Sequence, residues 1–178
     1  MDDTLSVNLV AALSGRDERT VRKEIEHGIL GSPQLGFPVL VYFDVLANLD
    51  LDLGVKDRGK VYQAISRAIA THATLVRLGG ILMLDITPSI AKGQKAQSEF
   101  ETWQQLRVVS DPEVMGGEPT FKDSRLTVRR IGGMLSKGEP IEDIREDYPY
   151  LTDEDVKFAK IYFRAYPKLG RRASKTSP

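Results

Sequence analysis

Cysteine is absent from the sequence, and histidine is limited to His27 and His72. The first absence excludes disulfides, thiolate zinc sites and cysteine nucleophiles, and it suits a reducing cytoplasm. The second leaves little material for a metal centre or a general base. Neither histidine belongs to an H-E-x-x-H motif or stands near Ser and Asp as in a triad. Each lies at the end of a helical stretch, where a partial positive charge suits the helix dipole. No run of apolar residues is long enough to span a bilayer. The acidic start, "MDDTLSVNLV", lacks the basic region of a secretory signal. Net charge is missing too: 25 basic and 25 acidic residues cancel. A nucleic-acid ligand would therefore have to be held by local clusters rather than by bulk attraction. The expectation is a cytoplasmic protein that is not an enzyme, with no cofactor, no metal and no membrane contact.

What is present reads as a mainly α chain with short β elements, divided at 1–53, 54–109, 110–167 and 168–178. In the first part, "NLVAALSG" places Leu9 and Leu13 one turn apart before Gly15 breaks the helix. Asp17 can cap "ERTVRKEIEHG", where Val21 and Ile25 are again one turn apart and Gly28 stands as a C-terminal stop. Two short helices across a tight turn form a helix-turn-helix. The apolar runs of "ILGSPQLGFPVLVYF" flank a Ser-Pro and Gly turn and predict a β-hairpin wing, with a further helix opening at Asp44.

The middle part predicts a helix–strand–helix region for linking or dimerisation. "DRGKVYQAISRAIATH" is amphipathic through Val61, Ile65, Ala68 and Ile69. "GGILMLDI" predicts a buried strand. Thr87 and Pro88 open a helix with Ala96, Phe100, Trp103 and Leu106 inward, and "RVV" ends it as a short strand.

In the third part, "PEVM" and "PTF" can pair across the glycine turn, and three helices follow. Thr127 caps the first, which turns Val128, Ile131 and Leu135 inward. Pro140 and Pro149 bound the second. Thr152 caps the third, with Asp155 in a variant capping box. Val156, Ala159 and Phe163 line one stripe of that helix; Phe158, Tyr162 and Tyr166 line another.

Two clusters suggest binding. Arg16, Arg19, Thr20, Arg22 and Lys23 lie on or just before the second helix of the pair, where Arg can read guanine and Lys can hold phosphate. Asp17, Glu18, Glu24 and Glu26 oppose them. The tail after Tyr166 contains Lys168, Arg171, Arg172 and Lys175 without an acid. With Tyr162 and Tyr166 it forms a candidate partner surface, since interfaces favour Tyr and Arg. The carboxylates Asp111, Glu113, Glu118 and Asp123 read as turn residues rather than acid–base pairs.

From Ser110–Pro112 through Gly116, Gly117, Pro119, Arg125, Val128, Gly138, Asp147–Pro149 and Leu151, the chain resembles the bacterial antitoxins of domain-of-unknown-function family 433. "KDSR" stands where that family usually has "GTR". Asp123 must then take a glycine position, and Arg125 is the residue to watch as a buried anchor. "SVNLVAALSGRDERTVRKEIEHGIL" is similar to the winged helices of the MerR and excisionase type. Together these resemblances imply a VapB-type antitoxin that represses its own operator. They also imply a homodimer, and a hetero-oligomer with a PIN-domain ribonuclease toxin whose acidic site would receive Arg171 or Arg172. A stand-alone MerR-like regulator and an adaptor without a DNA role are the alternatives.

Overall fold

The computed structural model describes residues 4–31 and 35–168. Helix α1 (Val7–Ser14) is capped by Ser6, whose Oγ accepts the Leu9 N–H, and it stops at Gly15 with φ of 69°. Asp17 opens α2 (Glu18–Glu26) by accepting the Arg19 N–H at 2.7 Å, and Gly28 turns the chain away in the left-handed region. The helix pair therefore forms where the caps predict it.

The predicted wing is not found among the described residues. Leu5 and Leu35 exchange two backbone hydrogen bonds as an isolated bridge, and the run beginning at Pro38 is helix α3 (Pro38–Asn48). Val39, Leu40, Val41, Tyr42, Phe43 and Val45 are all buried. A helix apolar on every side has no visible period, so it reads like a strand. Pro38 in its first turn fits a helix start, and burial outweighs the weak helix preference of its β-branched residues. The separate helix expected at Asp44 is the second half of α3.

Helix α4 (Val55–Ala70) packs on α3 through Val61, Ile65 and Ala68, as its periodicity predicts. A hairpin follows, with β1 (Leu75–Leu78) antiparallel to β2 (Leu82–Asp85). The strand expected to be buried is β2, yet Leu82 and Met83 are exposed. Its one sheet neighbour among the described residues is β1, which leaves it at the surface. Helix α5 (Thr87–Arg107) starts beside Asp85, which accepts from both the N–H and the hydroxyl of Thr87. Phe100 and Trp103 are buried as expected, whereas Leu106 is exposed. Six residues carry a helix about 240° beyond Phe100, off the inward face.

Strand β3 (Val108–Val109) pairs with β4 (Thr120–Phe121), not "PEVM" with "PTF". The intervening glycines form a 3-10 turn over Met115–Gly117. Asp123 adopts φ of 59°, the left-handed conformation expected at the glycine position. Arg125 is exposed, so it is not a buried anchor. Thr127 caps α6 (Val128–Ser136), Pro140 precedes α7 (Ile141–Asp147), and α8 (Asp153–Ala165) carries the full Thr152–Asp155 capping box.

Two apolar clusters result. One joins α1 to α4 with β1; the other joins the end of α5 to α6, α7 and α8. Leu9 and Leu13 of α1 pack against both. Helix α5, about 32 Å long at 1.5 Å per residue, serves the first cluster near Ile90 and the second at Phe100 and Trp103. Thus α2 is held through α1 on a scaffold that includes α8.

Candidate functional site

The inner side of α2 is anchored by a buried carboxylate. Glu24 accepts the Tyr42 hydroxyl at 2.8 Å and the Arg58 Nε at 3.1 Å, and Arg58 also donates to the Leu53 carbonyl. This network ties α2 to α3 and α4. Burial, and then the bond to Glu24, push the Tyr42 hydroxyl above its ordinary range. Glu24 therefore faces the core, and it does not belong among the acids that offset the basic face.

The five candidate DNA-contact residues do not share one environment. Arg16 is half-buried: its guanidinium donates to the Phe43 carbonyl at 3.0 Å and lies over the Phe43 ring. Its own carbonyl accepts from Arg164 of α8. It fixes the turn of the helix pair against two other helices. Arg19, Thr20, Arg22 and Lys23 are exposed together on the outer side of α2. Arg22 is paired with Glu18 at 2.5 Å across one turn. Such an exposed pair adds roughly 0.3–0.5 kcal/mol, and a phosphate can displace it at little cost. The surface that α2 offers is thus Arg19, Thr20 and Lys23 at its centre, with Arg22 at one side and Glu26 at the end.

The second cluster also divides. Tyr162 is buried against Trp103, and Tyr166 is half-buried with its ring 4.7 Å from that of Tyr162. Burial raises the pKa of both hydroxyls. These rings belong to the second core, so they do not form an exposed aromatic stripe. Lys168 is exposed and pairs with Glu118 at 2.5 Å, which brings the start of the tail back to the turn before β4. Arg171 and Arg172 lie outside the described residues.

Sequence spacing reveals only the capping role of Asp155; its tertiary partners come from elsewhere. Asp155 is fully buried and accepts from Trp103 Nε1 at 2.8 Å, from Arg107 at 2.6 and 3.0 Å, and from the Thr152 N–H at 3.0 Å. The Thr152-x-x-Asp155 spacing is the one local signal, and Arg107 lies too far along the chain to be linked to it by pattern. Burial alone would raise this carboxyl. The Arg107 guanidinium, helped by Thr152 and Trp103, instead holds it at about 2. Its donors, Trp103, Arg107 and Thr152, are all groups of the fold itself. Among the described residues no group of three or more His, Cys, Asp or Glu is placed to hold a metal ion. Nor is any helix among them long and apolar enough to cross a membrane.

No solved structure matches the chain. Over 91 residues it is 28% identical to the uncharacterized protein y4eO of Sinorhizobium fredii (strain NBRC 101917 / NGR234). That alignment takes in 51% of this chain and 41% of y4eO, so the chain spans about two fifths of the relative's length. The segment that builds β3, the glycine turn, β4, α6, α7 and most of α8, residues 108–163, matches the family described as a protein of unknown function (DUF433).

Proposed function

We propose that the chain is the antitoxin of a type II toxin–antitoxin pair. In this reading α2 binds operator DNA, and the region from the glycine turn through the basic tail holds a PIN-domain ribonuclease. The observation that carries the DNA half is the sorting of charges on α2. Glu24 and Arg16 turn inward to brace the helix pair, while Arg19, Thr20, Arg22 and Lys23 remain outside on a helix held by three others. A short helix so fixed can enter a major groove with its side chains preset. Support for the toxin half is the similarity of residues 108–163 to family 433, together with the run of basic residues in the tail.

The DNA reading is tested with the promoter DNA upstream of the protein's own gene. Arg19→Ala with Lys23→Ala is expected to weaken binding and to reduce the salt slope by roughly two units, about one for each phosphate that is no longer neutralised. The same affinity and slope in the double variant would sink it. The toxin reading is tested by co-expression with the adjacent gene, followed by a nuclease assay. Truncation after Pro167 is expected to relieve inhibition, because it removes the arginines that would pair with an acidic site. Full inhibition by the truncated chain excludes the tail as the inhibitory element.

A further inference from the structure

The chain after α3 runs Leu49, Asp50, Leu51, Asp52, Leu53. Leu49 is extended, and successive side chains of an extended chain point to opposite sides. The three leucines line a groove of about 440 Å³, and the two aspartates do not. Helix α4 and the end of the β1–β2 hairpin form its other walls, through Val61, Leu78 and Leu82. Lys60, Ala64 and Arg67 follow one another by a turn of α4 and so share one face of it. Ala64 is the small residue between two long cations, which leaves the wall open where they flank it.

Charge at this rim is unequal. Lys60, Arg67 and Arg77 stand against Asp57 alone, and Lys60 already holds Asp57 at 2.7 Å. Among the described residues, neither the Arg67 nor the Arg77 guanidinium has a hydrogen bond or an ion pair. Two unpaired guanidiniums therefore border an apolar trough.

We propose that the groove binds a small amphiphile with one anionic end, of the alkyl carboxylate class. Its apolar part lies on the leucines, and Arg67 and Arg77 take the carboxylate. Charge complementarity selects this occupant, because a planar guanidinium meets a carboxylate through two parallel hydrogen bonds. The volume falls within the roughly 300–1,000 Å³ of small-molecule sites, which are likewise apolar with a few charged groups. A second copy presenting the same face, or the chain's own basic tail, would bring cations against cations. Nucleic acid would satisfy the guanidiniums and leave the leucines in water. The groove lies outside residues 108–163 and outside α2, so it depends on neither the toxin reading nor the DNA reading.

Calorimetric titration of the full chain with monomeric decanoate tests the assignment. One site per chain is expected, with a Kd below about 1 mM. Octanoate is expected to bind at least roughly fourfold more weakly, since it buries two fewer methylenes and each is worth up to about fourfold. Arg67→Gln with Arg77→Gln is expected to weaken both carboxylates about tenfold while leaving uncharged octanol within about twofold. Leu51→Asp, which sets a carboxylate on the apolar wall, is expected to weaken decanoate by at least the same factor. Arg67, Arg77 and Leu51 are all exposed, so these replacements spare the fold, and circular dichroism checks it. A wild type that takes up no decanoate overturns the proposal, as does binding indifferent to Leu51→Asp. An equal loss of octanoate and octanol in the arginine variant also overturns it. Capture by phosphatidylglycerol vesicles without uptake of monomeric decanoate would assign the groove to a membrane surface instead. Decanoate uptake that tightens as the chain is diluted would assign it to a second copy. Either result rejects the small-molecule site.

Discussion

Asp155→Ala is expected to lower stability by about 3 kcal/mol, the low end of the range for removing one partner of a buried ion pair. The carboxylate collects four hydrogen bonds from three residues on two elements of the fold. Trp103 Nε1 would be left buried and unpaired. The Thr152–Asp155 capping box would be lost as well, freeing the Thr152 N–H at the start of α8. Arg107 limits the damage, because 37% of its side chain is already exposed and can turn to water. For a chain of this size the loss corresponds to a fall in Tm of roughly 6–12 °C. Trp103 is the single tryptophan, so its fluorescence reports this core directly. A fall worth less than about 1 kcal/mol would show that the network adds little beyond filling space.

The same residue sets an acid limit. Its folded pKa, about 2, lies below the ordinary carboxylate value of 3.8. A depressed carboxylate stabilises the fold fully above its unfolded value, and the contribution fades as pH falls toward the folded one. The amount is about 2 kcal/mol. Wild-type stability should therefore drop between pH 3.8 and about 2 more steeply than that of Asp155→Asn, which has no charge to lose there.

Two adjacent glycines in α6 should respond in opposite directions. Gly132→Ala drives a methyl into both the Ala159 carbonyl oxygen and the Phe163 Cβ, far inside the 3.0 Å that real Cβ atoms keep. One of these neighbours is backbone, so no rotamer change relieves the overlap, and α6 and α8 must separate. Overpacking of this kind costs about 1–3 kcal/mol, and backbone displacement puts this site at the upper end. Gly133→Ala meets the Phe163 ring at 3.5 Å, an ordinary contact. It should gain up to about 1 kcal/mol from helix propensity. Parallel urea titrations check the pair. Equal effects at the two positions would mean that the α6–α8 crossing is looser than its geometry.

Local features of this chain are legible because their causes span three or four residues. Ser6, Asp17, Thr127 and Thr152 each accept a backbone N–H within one turn, and each starts a helix. Asp123 takes the glycine conformation because its short polar side chain tolerates it. The amphipathic period of α4 names its own buried face. The site is only half legible by the same logic. Spacing puts Arg16, Arg19, Arg22 and Lys23 near one another, but whether each faces water depends on what stands behind it. Phe43 takes Arg16 inward, and Tyr42 with Arg58 takes Glu24 inward; all three lie on other helices.

The amino-acid order by itself determined the helix pair, the capped starts of α6 and α8, and the left-handed turn at Asp123, all through hydrogen bonds and torsions that neighbouring residues satisfy among themselves. Tertiary structure alone decided that Pro38–Asn48 is a central helix instead of a wing, that Tyr162 fills a core, and that β2 and Ile81 face outward. Those outcomes depend on burial against distant segments, and burial is a property of the packed chain rather than of any stretch within it.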